Sequence, residues 1–286
     1  MLQPILDENS PQPYFRPLWA IAALITSAAF VTSVLAQGLV LVFEQRTGAR
    51  VSSRSMDTPL SLARGALIVQ LALATLIVVV LGRYRMLRQR MSVRARLPWV
   101  SWVNCLGLVL GLAPVANDIG IRVAQALHQP PENSTWVSLL VLSASTREFA
   151  MLAFVLIVMP ALVEELLFRG VLMGALLGAR AWLVVGLQAL AFGVFHVDVA
   201  QGLATFVLGL GFGFMRLRTR TLAVSMLSHA MYNAIVLASM RFTPITSNSS
   251  THQNFGVVFA GTLLSAVCVM GLLRHQGEPS PQPRAT

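Results

Sequence analysis

Pro160-Ala-Leu-Val-Glu164-Glu165-Leu-Leu-Phe-Arg169-Gly170 lies inside an apolar run that spans residues 147–177. A run of this length reads as a helix that crosses a bilayer, for which about 20 apolar residues suffice. A charge at the centre of such a helix costs about 2.5–3.5 kcal/mol on insertion scales, and here two carboxylates and a guanidinium sit together. A chain that accepts this pairs the charges or uses them. Glu165 and Arg169 stand four residues apart, share a helix face and can form a charge-assisted pair. Glu164 is turned about 100° around the axis and is free to point elsewhere. Taken alone, the segment is also compatible with a purely structural ion-pair knot.

The rest of the chain agrees with a membrane class. Of 286 residues, 56% are hydrophobic and 11% charged, and the mean hydropathy is +0.70. A soluble protein carries about 25% charged residues. Apolar runs predict about eight helices, at 18–43, 60–82, 98–116, 147–177, 181–196, 199–216, 221–240 and 254–273, the fifth and sixth short for a full crossing. The expected fold is therefore all-α, a polytopic integral-membrane helix bundle. Residues 130–146 read as a loop followed by a short interfacial segment. The first run continues past Val34-Leu35-Ala36 and reads as an uncleaved span rather than a signal peptide. Without an internal repeat, the sequence gives no support to an inverted-repeat transporter.

The net charge of +10 comes from arginine alone, for the chain has no lysine. Arg83, Arg85, Arg88, Arg90, Arg94 and Arg96 flank one apolar run, and Arg216, Arg218 and Arg220 another. Clusters beside spans follow the positive-inside rule and favour anionic lipid headgroups, so no nucleic-acid partner is needed to explain them. Helix parity puts the 83–96, 178–180 and 216–220 loops and both termini on the cytoplasmic side. The loop at 44–58, with Arg46, Arg50 and Arg54, is a modest exception. Cys105 and Cys268 each lie in an apolar run and read as buried packing residues.

Two more apolar helices carry chemistry-bearing side chains at a spacing of four. Phe192 and His196 share a face of the fifth, and His229 and Asn233 share a face of the seventh. Either histidine alone would more often be a helix–helix hydrogen bond. Together with Glu164 and Glu165 they contain what peptide hydrolysis requires. A carboxylate can deprotonate water, a histidine and an amide can hold an oxyanion, and the carboxyl can return a proton to the leaving amine. Ser225 and Ser228 do not face His229 along their helix, which weakens a nucleophilic mechanism. His128, His252 and His275 fall in loops or ends.

The ordered triple Glu164-Glu165-Leu-Leu-Phe-Arg169, Phe192-Gly-Val-Phe-His196 and His229-Ala-Met-Tyr-Asn233 resembles the CPBP family of intramembrane proteases, which includes CaaX prenyl proteases and bacteriocin-processing, Abi-like relatives. The glycine-rich stretch Gly209–Arg220 resembles that family's approach to its last motif. The resemblance covers about residues 145–240. It implies Glu164 as catalytic base, with His196 orienting or polarising the water. His229 and Asn233 would form the oxyanion hole, and Glu165 with Arg169 would hold the site in shape, Phe192 supporting it. It implies a membrane-associated protein or peptide substrate, such as a C-terminal sorting tail, a leader peptide or a CaaX-like end.

A metal-free glutamate mechanism is favoured, with no cofactor; the alternative is zinc held by Glu164, His196 and His229. A rival reading of the whole chain is a non-catalytic scaffold or bacteriocin-immunity protein. The expected organisation is a polar segment at 1–17, variable transmembrane helices at 18–143, a catalytic core at 144–240, a final helix at 241–274 and a disordered tail at 275–286. The expected location is a bacterial inner membrane, crossed many times. Rise arithmetic leaves one tension, because it puts His196 deeper from the cytoplasmic side than His229. Bringing the site to one level then calls for tilted helices or a different end to the fifth.

Overall fold

The computed structural model describes residues 18–46, 58–93, 97–128, 132–242 and 255–274. The polar segment 1–17, most of the 44–58 loop, Arg94, Arg96, His252, His275 and the tail lie outside them. Ten helices form, and no strand is present among the described residues. They are α1 (Trp19–Arg46), α2 (Pro59–Arg83), α3 (Arg85–Gln89), α4 (Trp99–Ala126), α5 (Glu132–Ser143), α6 (Thr146–Leu176), α7 (Ala181–Phe195), α8 (Val199–Thr219), α9 (Leu222–Phe242) and α10 (Phe255–Arg274). Seven of them, all but α3, α5 and α7, are long and apolar enough to cross a membrane. The polytopic helical bundle expected from the sequence is therefore observed, and the chain is an integral, multi-pass membrane protein. Large apolar side chains such as Val78, Trp182 and Phe255 are exposed on its outer faces, where lipid would cover them.

Two limits differ from the sequence reading. The third long helix does not stop near residue 116 but continues through Pro114 to Ala126. Asp118 and Arg122, expected in a loop, form an ion pair one turn apart on it at 2.6 Å, which neutralises both near the helix end. The segment after it is a helix, α5, where a loop and an interfacial piece were expected.

α7 agrees with the expected 181–196 to within one residue. Its 15 residues rise about 22 Å, less than the roughly 30 Å of a hydrocarbon core. It ends in a turn at 196–198, with Val197 at φ 65°. Asp198 then caps α8 by accepting from the Gln201 N–H at 2.7 Å. Glycine allows the two helices to close on each other, since a Cβ on Gly193 would stand 2.6 Å from the Gly202 carbonyl oxygen. His196 thus sits at the turn that closes α7.

α6 is not a uniform helix. A capping box fixes its start: Ser145 accepts from the Glu148 N–H, and the Glu148 carboxylate accepts from the Ser145 N–H at 2.9 Å. Wide π-turns follow at Phe154–Val158 and Leu166–Leu172. Such turns insert a residue into the helix and re-aim the side chains around it. Here they flank Glu164 and Glu165 on both sides.

Three apolar clusters surround this helix. The first gathers α1, α2, α6 and α7, the second α4, α8, α9 and α10, and the third α2, α5, α6 and α9. At one end of the bundle, α3 and residues 90–92 strap the site helices together. Arg90 donates to the Gly174 carbonyl at 2.8 Å, Arg216 donates to the Arg90 carbonyl at 3.2 Å, and the Leu222 N–H donates to the Ser92 carbonyl at 2.7 Å. These arginines satisfy the open carbonyls of helix ends, as cations at helix C-termini do.

Candidate active site

The two adjacent carboxylates of α6 have different surroundings. Glu165 is wholly buried and accepts from Arg169 Nη1 at 2.8 Å and from His229 Nδ1 at 3.0 Å, both on the same oxygen. The spacing of four thus yields the expected ion pair, with His229 as its third member. Arg169 lies between two rings, 4.3 Å from the centre of Phe192 and 5.1 Å from that of Phe212. Its Nη2 also reaches the Gly209 carbonyl at 3.4 Å. Two aromatic faces and a carboxylate replace the hydration that the guanidinium gives up.

Glu164 is buried too, yet its recorded partner is a neutral amide: Gln70 Nε2 of α2 donates to Oε1 at 2.8 Å. No cation pairs with it among the described residues. One carboxylate is therefore fully employed in holding the site, and the other keeps its charge available.

The histidines are held by their Nδ1 atoms. His196 caps α7 and shares its Nδ1 hydrogen with the Phe192 carbonyl at 2.9 Å, with the two rings edge to face at 5.0 Å. That partner assigns the hydrogen to Nδ1 and leaves Nε2 as an acceptor in the neutral ring. His229 donates from Nδ1 to Glu165, stacks on Phe212 at 5.3 Å and meets the edge of Phe192 at 5.9 Å. Its Nε2 carries a hydrogen only as the imidazolium.

Asn233 sits one turn further along α9 and donates from Nδ2 to the Leu156 carbonyl at 3.0 Å. The sequence explains why that carbonyl is open: Pro160, four residues on, has no N–H to give it. One hydrogen of the Asn233 amide is engaged there, and the other remains.

The structure brings Glu165, Arg169, Phe192 and His229 into one contact network and places Glu164, His196 and Asn233 around it. It does not converge Glu164, His196 and His229 on one point. Among the described residues, no group of three His, Cys, Asp or Glu side chains could hold a metal ion. No step is therefore derived through zinc.

Three participants escaped the sequence reading. Gln70 was one amide in an apolar helix, with nothing to mark it. Phe212 stands inside Gly209-Leu-Gly211-Phe212-Gly213, where the small neighbours let α8 approach α7. Gln188 of α7 donates to the Gly209 carbonyl at 2.7 Å and so ties that approach together.

Comparison with known proteins bears on these motifs. Residues 146–235 match the family model of the type II CAAX prenyl endopeptidase Rce1-like proteins. The chain is similar to "Putative membrane peptidase YdiL" of Bacillus subtilis (strain 168), 31% identical over 85 residues. That alignment covers 29% of this chain and 34% of the relative, so the chain spans about a third of the relative's length. No solved structure matches it. The matched segment runs from the first turn of α6 to two residues past Asn233 and contains all three motifs, so over residues 146–235 this chain is similar to the Rce1-like, CPBP-type proteins.

Proposed function

We propose that this protein is an intramembrane endopeptidase that hydrolyses a peptide bond of a membrane-associated protein or peptide with Glu164 as general base. One observation carries the reading. Among the described residues, Glu164 is a buried carboxylate without an ion-pair partner, beside a second carboxylate that pairs with Arg169 and His229. A base needs its charge and its lone pairs free at the moment it takes a proton.

The reaction balances on these groups. Water gives one proton to Glu164 while its oxygen attacks the scissile carbonyl carbon. His196 Nε2 accepts the other O–H of that water and aligns it. The oxyanion is met by the remaining Asn233 N–H and by His229 as a cation, whose counter-ion Glu165 is already in place. The Glu164 carboxyl then returns its proton to the departing amine as the C–N bond breaks. Glu165, Arg169, Phe192 and Phe212 keep His229 in register. The family match and the membrane peptidase name of the relative support this reaction class. The substrate class is a CaaX-like end, a leader peptide or a C-terminal tail with its own span. The arginine-rich end of the bundle, with both termini, faces the cytoplasm of a bacterial inner membrane.

The test is cleavage by purified protein in liposomes. Three quenched-fluorescent probes would be offered: an S-farnesyl CaaX-type peptide, a leader peptide and a membrane-spanning tail. Wild type is expected to cleave at least one of them with a chelator present, and Glu164→Gln and His229→Ala none. Equal cleavage by all three proteins would overturn the assignment of Glu164. Cleavage abolished by chelator and restored by zinc would replace the mechanism.

A further inference from the structure

Gln70 lies outside the family-matched segment, on α2, and nothing in the three motifs calls for it. It is nonetheless buried, 6% exposed, in a helix that otherwise presents Leu, Ile and Val to its neighbours. Its Nε2 makes the recorded hydrogen bond to Glu164. Its Oε1 is buried without a hydrogen-bond partner among the described residues. An amide that spends its donor and leaves its acceptor open beside a carboxylate has one half fixed and one half pointed at whatever enters the site.

From this arrangement we propose that Gln70 is a positioning residue for the general base: its N–H holds Glu164 turned into the site, and its open carbonyl shares with His196 Nε2 the hydrogen of the attacking water that is not transferred. The acceptors then face one water from two sides. Glu164 takes the hydrogen that is transferred, and Gln70 shares with His196 Nε2 the one that stays. The water's lone pair is thereby directed away from both and toward the substrate carbonyl. The α2 helix, which carries none of the motifs, becomes the fourth wall of the active site.

This rests on Glu164 being the base, and the experiment separates the two ideas. Full-length protein in liposomes would be treated with dicyclohexylcarbodiimide, which reacts with protonated buried carboxyls. Labelling at Glu164 and at Glu165 would be resolved by peptide mass spectrometry across a pH series. Gln70→Leu removes both amide groups at similar volume, and Gln70→Met serves as a second variant if Leu lowers the yield of folded protein.

We expect the extent of Glu164 labelling to differ at least threefold between the Gln70 variants and wild type, with Glu165 unchanged. On the probe that wild type cleaves, kcat is expected to fall about 10- to 100-fold with KM within twofold. Identical Glu164 labelling in wild type and both variants would overturn the inference. So would cleavage that depends on Glu164 but is untouched by Gln70→Met. A labelling shift in a protein whose cleavage is indifferent to Glu164→Gln would keep the contact but sink the catalytic reading.

Discussion

Along the seam between α4 and α10 the helices meet through their smallest residues. A Cβ on Gly111 would stand 2.6 Å from the Gly261 carbonyl oxygen, one on Gly107 would meet Cys268 Sγ at 2.7 Å, and one on Gly271 would meet the Asn104 amide. The joint among α6, α7, α8 and α9 is built differently, from a carboxylate, a guanidinium, a histidine and two aromatic rings. In lipid, burial of apolar surface gives helices no reason to prefer one another over acyl chains. Close backbone approach is one way to hold two helices together, and a satisfied polar network is the other. The seam needs only to be dense. The network must be complete, because each of its members is a buried charge or donor that fails if a partner leaves. The first design suits a scaffold, while the second fixes the angle of every side chain near Glu164.

Arg169→Leu tests that contrast hardest. It leaves Glu165 with His229 alone and empties the space between Phe192 and Phe212. Breaking a buried pair from one side costs about 3–5 kcal/mol. Unfolding in mixed micelles should show a loss of that size, together with inactivity of the protein that remains folded. A loss below about 1 kcal/mol would mean that the network is ornamental to the fold.

Glu164→Gln should behave in the opposite way. The Gln70 contact can be kept by an amide, so stability should change by less than about 1 kcal/mol. Cleavage should fall by about 10²–10⁴, the usual weight of a general base. Should Glu164→Gln prove as destabilising as Arg169→Leu, the two carboxylates would not have the separate tasks assigned to them.

Much of this division could be read in advance, and the reasons for the remainder are physical. The spacing of Glu165 and Arg169 was sufficient because a single helix sets their distance. The order of the motifs on α6, α7 and α9 pointed to the family model that residues 146–235 match, because each motif lies on its own apolar run. Gln70 was hidden because a lone amide in an apolar helix has many bland uses; Gln188, of the same type, turned out to hold a carbonyl. The end of α7 was legible to within one residue, because the apolar run breaks off at His196. What stops it is the turn at Val197 and the capping aspartate. The extension of α4 past Pro114 was missed because proline and aspartate together read as a stop. The i, i+4 pairing of Asp118 with Arg122 makes the continuation tolerable. The π-turns of α6 leave no trace in composition, although Pro160 between them explains the open Leu156 carbonyl that Asn233 fills.

The seam has its own breaking point. Gly261→Leu would drive a side chain into the Gly111 carbonyl and Pro114 Cγ, each 2.6 Å from the first added carbon. Neither is the end of a flexible side chain, so α4 and α10 must separate. Overpacking of this kind costs about 1–3 kcal/mol, visible as a lower unfolding midpoint. Because the seam touches the site only through α8 and α9, cleavage per folded molecule should stay within a few-fold of wild type. A specific loss of rate at full stability would show that the scaffold also tunes the site.

The smallest effect belongs to the start of α6. Ser145→Ala removes the Oγ that accepts from the Glu148 N–H and leaves the Glu148 carboxylate only the Ser145 N–H. Losing such a cap costs about 1 kcal/mol. The capping box stands 19 residues before Glu164, about 28 Å along the axis, with the first π-turn between them. Fraying should therefore die out within the first turn. Hydrogen exchange should quicken at residues 146–149 and remain unchanged at 161–172, with the rate of cleavage unaltered. Faster exchange reaching 161–172 would show that α6 responds as one rigid rod, and that its π-turns do not insulate the two carboxylates from its end.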